Sequence, residues 1–184
     1  MFPKDAPVHA TFPDTIFKGP FAQEEDAMSA DAKPVSATRL VMAQEMTPQD
    51  ANPAGNVHGG NIMRLADSAA GVVAIRHSGR NCVTAAVDHF EFHAPVFIGN
   101  LVTFHASVNY VGHTSMEVGV RVEAEEPRTG KRTHTNSSYF LMVALDDQGR
   151  PVEVPKLLLE TAEDRRRNAE AMQRAIARRQ RKKK

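Results

Sequence analysis

One segment of helical period followed by four segments of alternating period is the strongest constraint this chain carries. Ile62, Leu65, Ala66, Ala69, Val72 and Val73 recur at helical spacing. The opposite face begins polar, with Asn61, Arg64, Asp67 and Ser68, and turns apolar at Ala70, Gly71, Ala74 and Ile75. A helix that is apolar over most of its circumference has to be covered on most sides, so a buried helix is predicted here. Residues 82–93, 101–110, 116–124 and 132–145 then alternate. Val102, Phe104, Ala106, Val108 and Tyr110 are predicted on one face, against Thr103, His105, Ser107 and Asn109 on the other. In the first of these segments Val83, Ala85 and Val87 are predicted to face one way, and Phe90 and Phe92 the other. Turn residues separate the segments: Pro95 with Gly99-Asn100, then Gly112-His113, then Pro127 to Gly130. Such alternation marks antiparallel strands with one face toward a core.

A further strand is predicted from Ser36 to Met46, followed by a loop over 48–60 that is rich in Pro, Gly, Asn and Asp. The order strand, loop, buried helix, four strands describes one helix wrapped by one long antiparallel sheet, the α+β arrangement called a hotdog. A sheet of this kind leaves an open edge and a partly apolar flank. Pairing two copies edge to edge covers both, so a dimer at least is expected. Three regions follow: an irregular N-terminal arm over 1–34, the hotdog domain over 35–158, and a basic C-terminal helix or tail over 159–184. Five prolines (Pro3, Pro7, Pro13, Pro20, Pro34) break any period in the arm, where Phe12, Ile16, Phe17 and Phe21 could dock on a neighbouring surface. In the tail, Thr161 to Asp164 reads as a capping box, and Ala169, Met172 and Ile176 form a thin apolar stripe. A solvated helix that docks lightly is expected.

Composition narrows the function classes. The net charge of +1 points to no polyanionic partner, but it divides unevenly: residues 160–184 carry +6 and the rest −5. The single cysteine, Cys82, excludes a disulfide framework and suits a reducing compartment. Met1 to Ala10 shows no apolar signal region, and no stretch approaches the ~18 consecutive apolar residues of a spanning helix. A cytoplasmic location without a membrane span is expected.

Candidate chemistry concentrates at the loop-to-helix junction, Asn56-Val57-His58-Gly59-Gly60. Two glycines before a helix leave backbone N–H groups at its positive end, where they suit an oxygen that gains negative charge. Asp67 lies seven residues past Gly60, about two helical turns inward. Because the run after it is apolar, Asp67 is predicted to be largely buried, and a carboxylate there needs partners or a task.

Residues 50–160 resemble the hotdog-fold acyl-CoA thioesterases of the YciA and brain acyl-CoA hydrolase type. The matching stretches are Gly55-Asn-Val-His-Gly-Gly60, Asp67-Ser-Ala-Ala-Gly71, Val83-Thr-Ala-Ala-Val-Asp88, Thr114-Ser-Met-Glu-Val118 and Arg150-Pro-Val-Glu-Val-Pro155. The resemblance implies hydrolysis of acyl-CoA to fatty acid and CoA, with CoA as part of the substrate and no cofactor. It implies a composite site, Asn56 of one subunit facing Asp67 of the other. Asp67 would be general base or nucleophile, Asn56 would hold the carbonyl or the water, and the Gly59 and Gly60 amides would stabilise the oxyanion. Relatives carry Phe at the position of His58, which makes His58 a packing or secondary substrate-binding residue. For CoA, the resemblance points to Val83, Thr84, Thr114, Ser115 and Met116. Arg76, His77 and Arg80, after the helix, are candidates for phosphate contacts, and Phe90, Phe92 and Phe104 for the acyl pocket. Relatives of this type often form trimers of dimers, and no nucleic-acid partner is expected.

Two other readings fit parts of the chain. Asp50-Ala51-Asn52-Pro53 echoes the signature of (R)-specific enoyl-CoA hydratases, but His58 follows Asp50 by eight residues where that signature has five. An acyl-CoA-sensing regulator would use the same pocket with the basic tail on nucleic acid. No helix-turn-helix segment precedes the hotdog region to support it.

Overall fold

The computed structural model describes residues 32–181. The arm expected over 1–34 lies outside them except for its last three residues, and 182–184 lie outside as well. Five strands form one antiparallel sheet: β2 (Leu40–Glu45), β3 (Asn81–Phe92), β4 (Leu101–Val111), β5 (Ser115–Glu126) and β6 (Lys131–Leu145), in the spatial order β2-β4-β5-β6-β3. A second, two-stranded pairing joins β1 (Lys33–Pro34) in parallel to β7 (Leu157–Leu158). The end of the arm is thus tied to the chain after β6. The hotdog architecture is present: helix α1 (Gly59–Ser78) lies on one face of the sheet, and helix α2 (Ala162–Arg181) lies on the other.

Period-2 patterning builds the inner face. Phe104, Ala106 and Val108 of β4 oppose Val122, Val120 and Val118 of β5, and with Phe140, Met142 and Ala144 of β6 they bury against Ile62, Leu65, Ala66, Ala69, Ala70 and Val73 of α1. Each large apolar side chain taken fully out of water stabilises the fold by about 1.5–3 kcal/mol. Helix α1 ends where Gly79 takes φ 68° and returns its N–H to Ile75 O at 2.8 Å, a left-handed cap that glycine accepts without strain.

Four expectations are corrected. The strand predicted from Ser36 begins at Leu40, because Val35–Ala37 closes a 3-10 turn with Thr38 N–H on Val35 O. Tyr110 is not on the Val108 face: a bulge between Val108 and Tyr110 puts it opposite Glu117. Two bulges in β3 likewise undo the simple alternation there. Val87 opposes Phe140, and Phe90 opposes Ser138, so Val87, Phe90 and Phe92 all face α1 while Val83 opposes Val143 on the other side. Helix α2, finally, does not dock through its apolar stripe. Met172 and Ile176 are exposed, and the contact runs through Asp164, Arg167, Asn168, Ala171, Arg174 and Arg178. The capping box is formed: Thr161 N–H donates to Asp164 Oδ2 and Asp164 N–H to Thr161 Oγ1, each at 3.0 Å.

Candidate active site

The loop before α1 is organised by one carboxylate. Thr47 donates to Asp50 Oδ2 from its backbone N–H (2.9 Å) and its hydroxyl (2.8 Å). Asn61 Nδ2 reaches Asp50 Oδ1 at 3.2 Å, and His58 N–H donates to Asp50 O at 2.7 Å. Asp50 is buried and its carboxylate is committed to the loop, so the aspartate of the hydratase-like echo is a structural residue here.

Asn52 makes the next turn. Its Oδ1 accepts from Ala54 N–H (2.9 Å) and Asn56 N–H (3.2 Å), while Asn52 N–H donates to Asn56 O at 2.7 Å. Two backbone donors fix which end of the amide carries oxygen, and they leave Nδ2 as a held donor without a protein partner among the described residues. Asn56 is half-buried and forms an isolated bridge with Phe97, and its own side chain makes no hydrogen bond among the described residues.

At the helix start, His58 is the N-cap: Gly60 N–H donates to His58 Nδ1 at 3.0 Å. Of the two amides expected to polarise a substrate, Gly60's is therefore occupied, and Gly59's makes no hydrogen bond among the described residues. Phe92 lies over Gly59 so closely that a Cβ there would meet its Cζ at 3.0 Å. Phe92 also pairs with Phe90, ring centroids 5.1 Å apart. Phe104 is sealed in the core, so of the three candidate pocket phenylalanines only Phe90 and Phe92 flank the helix start.

Asp67 is exposed, contrary to the expectation of burial. The reason is the direction of α1: the face carrying Met63, Asp67, Val72 and Ile75 points away from the sheet, and those three apolar residues are 41–45% exposed. Beside it, on edge strand β3, Thr84 donates its hydroxyl to Asp67 Oδ1 at 2.5 Å. Thr84 opposes Met142 on the inner face and also lies 3.4 Å from its Sδ. Oδ2 of Asp67 has no partner among the described residues. No hydrogen bond within the chain links Asp67 to Asn52 or Asn56.

The residues expected to meet CoA do not form one patch. Arg76 is exposed and donates to Arg39 O at 3.1 Å, and Arg80 is exposed. His77, also a phosphate candidate, is fully buried with Nε2 on Pro155 O at 2.9 Å, which removes it from any such role. Met116 has its side chain in the core. Thr114 is half-buried, with its carbonyl accepting from Ala144 N–H, and Val83 is exposed on the face opposite Thr84. Ser115 borders a cavity of about 320 Å³ on the α2 side of the sheet, with Ala85, Ala86, Asp88, Glu117 and Arg178. Sequence reasoning passed over Asp50 as an organiser, Asn52 as a held donor, and the pairing of Thr84 with Asp67. The Thr47-x-x-Asp50 capping-box spacing was a usable signal for the first.

Comparison with known proteins adds to this picture. Residues 54–131 match the family model described as the thioesterase superfamily. Protein VdlD of Helicobacter pylori is 42% identical over 137 residues, covering 74% of this chain and 78% of VdlD. The acyl-CoA hydrolase of Staphylococcus aureus, solved with butyryl coenzyme A, coenzyme A and coenzyme A disulfide, is 32% identical, with a TM-score of 0.77 over 82% of this chain and 92% of that one. An apo-hexameric acyl-CoA thioesterase superposes with a TM-score of 0.80 at 33% identity, over 82% of this chain and 97% of its own. The Staphylococcus aureus enzyme has also been solved with an asparagine, an aspartate or a threonine replaced by alanine; the aspartate follows the asparagine by fifteen residues and the threonine follows the aspartate by seventeen.

Proposed function

This chain belongs to the hotdog acyl-CoA thioester hydrolases of the thioesterase superfamily, and from that membership we propose that it cleaves acyl-CoA to a free carboxylic acid and CoA at a site shared by two copies of itself. The observation that carries the reading is the Thr84–Asp67 hydrogen bond. It fixes one carboxylate oxygen and leaves the other turned to an open, apolar-rimmed face beside an unpaired strand edge.

Asp67 Oδ2 takes a proton from water as the water oxygen attacks the thioester carbonyl carbon. The tetrahedral intermediate collapses with cleavage of the C–S bond, and the proton passes from Asp67 to the departing sulfur. General-base help of this kind is worth about 10²–10⁴-fold. The carbonyl oxygen gains negative charge at the N-terminal end of α1, where the Gly59 N–H is free. One preorganised donor there lowers the barrier by about 3 kcal/mol. Gly60 joins only if the His58 ring turns away from it. The proposal needs no cofactor beyond the CoA that the substrate carries.

Asn52 is the better candidate than Asn56 for the amide that orients carbonyl or water. Asn52, Asp67 and Thr84 stand fifteen and seventeen residues apart, the spacings of the three residues replaced in the Staphylococcus aureus enzyme. Asn52 is also the one whose Nδ2 is held by a pre-formed turn. Neither asparagine bonds to Asp67 within the chain, which supports the reading that a second copy supplies the amide that completes the site. Met63, Val72 and Ile75 of α1 with Val87 of edge strand β3 form the face that copy would cover. The hexamer of the superposed thioesterase supports a trimer of such dimers. Among the described residues no helix is long and apolar enough to cross a membrane, and a cytoplasmic location remains part of the proposal.

The test follows CoA release with a thiol reagent. Asp67→Asn and Asn52→Ala should each lose at least ~10²-fold in turnover, and Asn56→Ala should lose far less. Mixing the two inactive variants under subunit exchange should restore part of the activity, because one hybrid site would be whole. No recovery with exchange demonstrated would count against the shared site.

A further inference from the structure

Strand β3 is irregular where the proposed site depends on it. Its register against β6 slips twice, between Thr84 and Ala86 and between Val87 and His89, which leaves Ala85 and Asp88 without partners. Each bulge reverses the facing of the residues after it. Thr84, Val87, Phe90 and Phe92 therefore face α1, and Asp88, which an unbroken strand would have pointed with Thr84, instead faces α2. There the Arg178 guanidinium bonds the Asp88 carboxylate. The same Nη1 donates to Glu117 Oε2 at 3.0 Å, and Glu117, on β5 two strands inward, is fully buried. Arg174 holds the other side of Glu117 at 2.7 Å while lying 3.7 Å above the Tyr139 ring. Edge strand β3 is paired on one side only, so the segment of Thr84 to Asp88 has few backbone restraints. Arg178 ties it to the centre of the sheet.

We infer that the Asp88–Arg178 pair is a positioning device for thioester hydrolysis: by pinning the double bulge of β3 from the α2 side, it holds the Thr84 hydroxyl against Asp67 on the other side. The inference rests on the reading of Asp67 as the reactive carboxylate. Asp88 and Arg178 touch no reacting atom; they act through the backbone that carries Thr84. Displacement of a catalytic partner by an ångström from a remote change costs up to about 10²-fold in rate. Arg39 and Asp164, paired at 2.7 Å, latch the opposite end of α2 and make no hydrogen bond or ion pair to β3 among the described residues, so they separate helix docking from strand positioning.

The test measures kcat and KM for CoA release, together with thermal midpoint and native mass. Arg178→Gln and Asp88→Asn should each lower kcat about tenfold or more, with KM near that of the parent and native mass unchanged. The double variant should fall no further than the worse single one. Arg178→Lys, which keeps the charge but not the fork, should be intermediate. Asp164→Asn should lower the thermal midpoint as much while keeping parental kcat. Parental kcat in both Arg178→Gln and Asp88→Asn, or an equal kcat loss in Asp164→Asn, overturns the positioning role. If Asp67→Asn itself retains turnover, the reading beneath falls; if Asp67→Asn is inactive and neither Arg178→Gln nor Asp88→Asn is impaired, the clamp alone is wrong.

Discussion

Thr84 Oγ1 and Asp67 Oδ1 lie 2.5 Å apart, joining edge strand β3 to the outward face of α1. A hydroxyl donating to a carboxylate makes a short, charge-assisted bond that fixes the rotation of the carboxylate. Such bonds are worth about 1.5–3 kcal/mol. Thr84→Val keeps the shape and removes the donor, and it should lower kcat by about 10- to 10²-fold. Thr84→Ser restores the hydroxyl and should recover most of the rate. Steady-state CoA release from the two variants decides the matter, and equal rates in both would remove Thr84 from the mechanism.

His58 caps the start of α1. Its Nδ1 accepts the Gly60 N–H, one of the four amides a helix start leaves without intrahelical partners. Replacing a capping side chain by alanine costs about 1 kcal/mol. His58→Ala should show that loss in denaturant unfolding, and His58→Asp should regain it. At a temperature where all three are folded, His58→Ala should retain turnover within about tenfold, since general-base loss would cost 10²-fold or more.

Most of this architecture was legible from period alone. The helix of 62–75 and four strands of 82–145 appear within a few residues of their predicted bounds, because one continuous inner face imposes period 2 on the strands and period 3.6 on the helix. What escaped is where one extra residue changes the phase. The bulges at Ala85, Asp88 and Asn109 leave no mark in composition, yet they reassign the facing of Val87 and Tyr110. The exposure of Asp67 escaped for another reason. Apolar character told that most of α1 is covered, whereas Met63, Val72 and Ile75 are exposed on the side that carries Asp67. The held amide of Asn52 escaped because only the hydrogen bonds of the turn distinguish it from a free one.

His77 should make stability depend on pH. The ring is fully buried; Nε2 faces the Pro155 carbonyl, so it carries the hydrogen, and Nδ1 has no partner. A proton on Nδ1 would have no acceptor. Burial pushes the His77 pKa below its usual value, aided by nearby Lys33 and opposed by the Pro155 bond. The unfolded chain, with an ordinary value of about 6.5, then binds the proton more readily than the folded one. The His77 contribution is therefore complete above about pH 6.5 and declines as pH falls toward the lowered folded value. Unfolding free energies across pH 7.5 to 5 should decline for the parent and decline less for His77→Gln. Parallel profiles would show that His77 does not set the slope.

The apolar face beside Asp67 should be where two copies meet. Val87 and Ile75 are 41% and 45% exposed, on the free edge of the sheet and on α1, flanking the Thr84–Asp67 pair. Large apolar side chains gathered around an unpaired edge strand are costly in water and favour a second copy. A charge placed there loses its hydration on association without gaining a partner. Val87→Glu and Ile75→Glu should therefore raise the dissociation constant by at least about 10²-fold, a cost of ~2.7 kcal/mol, as read by analytical ultracentrifugation. Neither residue touches Asp67, Thr84 or Asn52 through a hydrogen bond, so loss of turnover in step with loss of assembly, and its return at higher protein concentration, would tie the chemistry to the interface. A dissociated Val87→Glu chain with parental kcat would place the whole site within one copy.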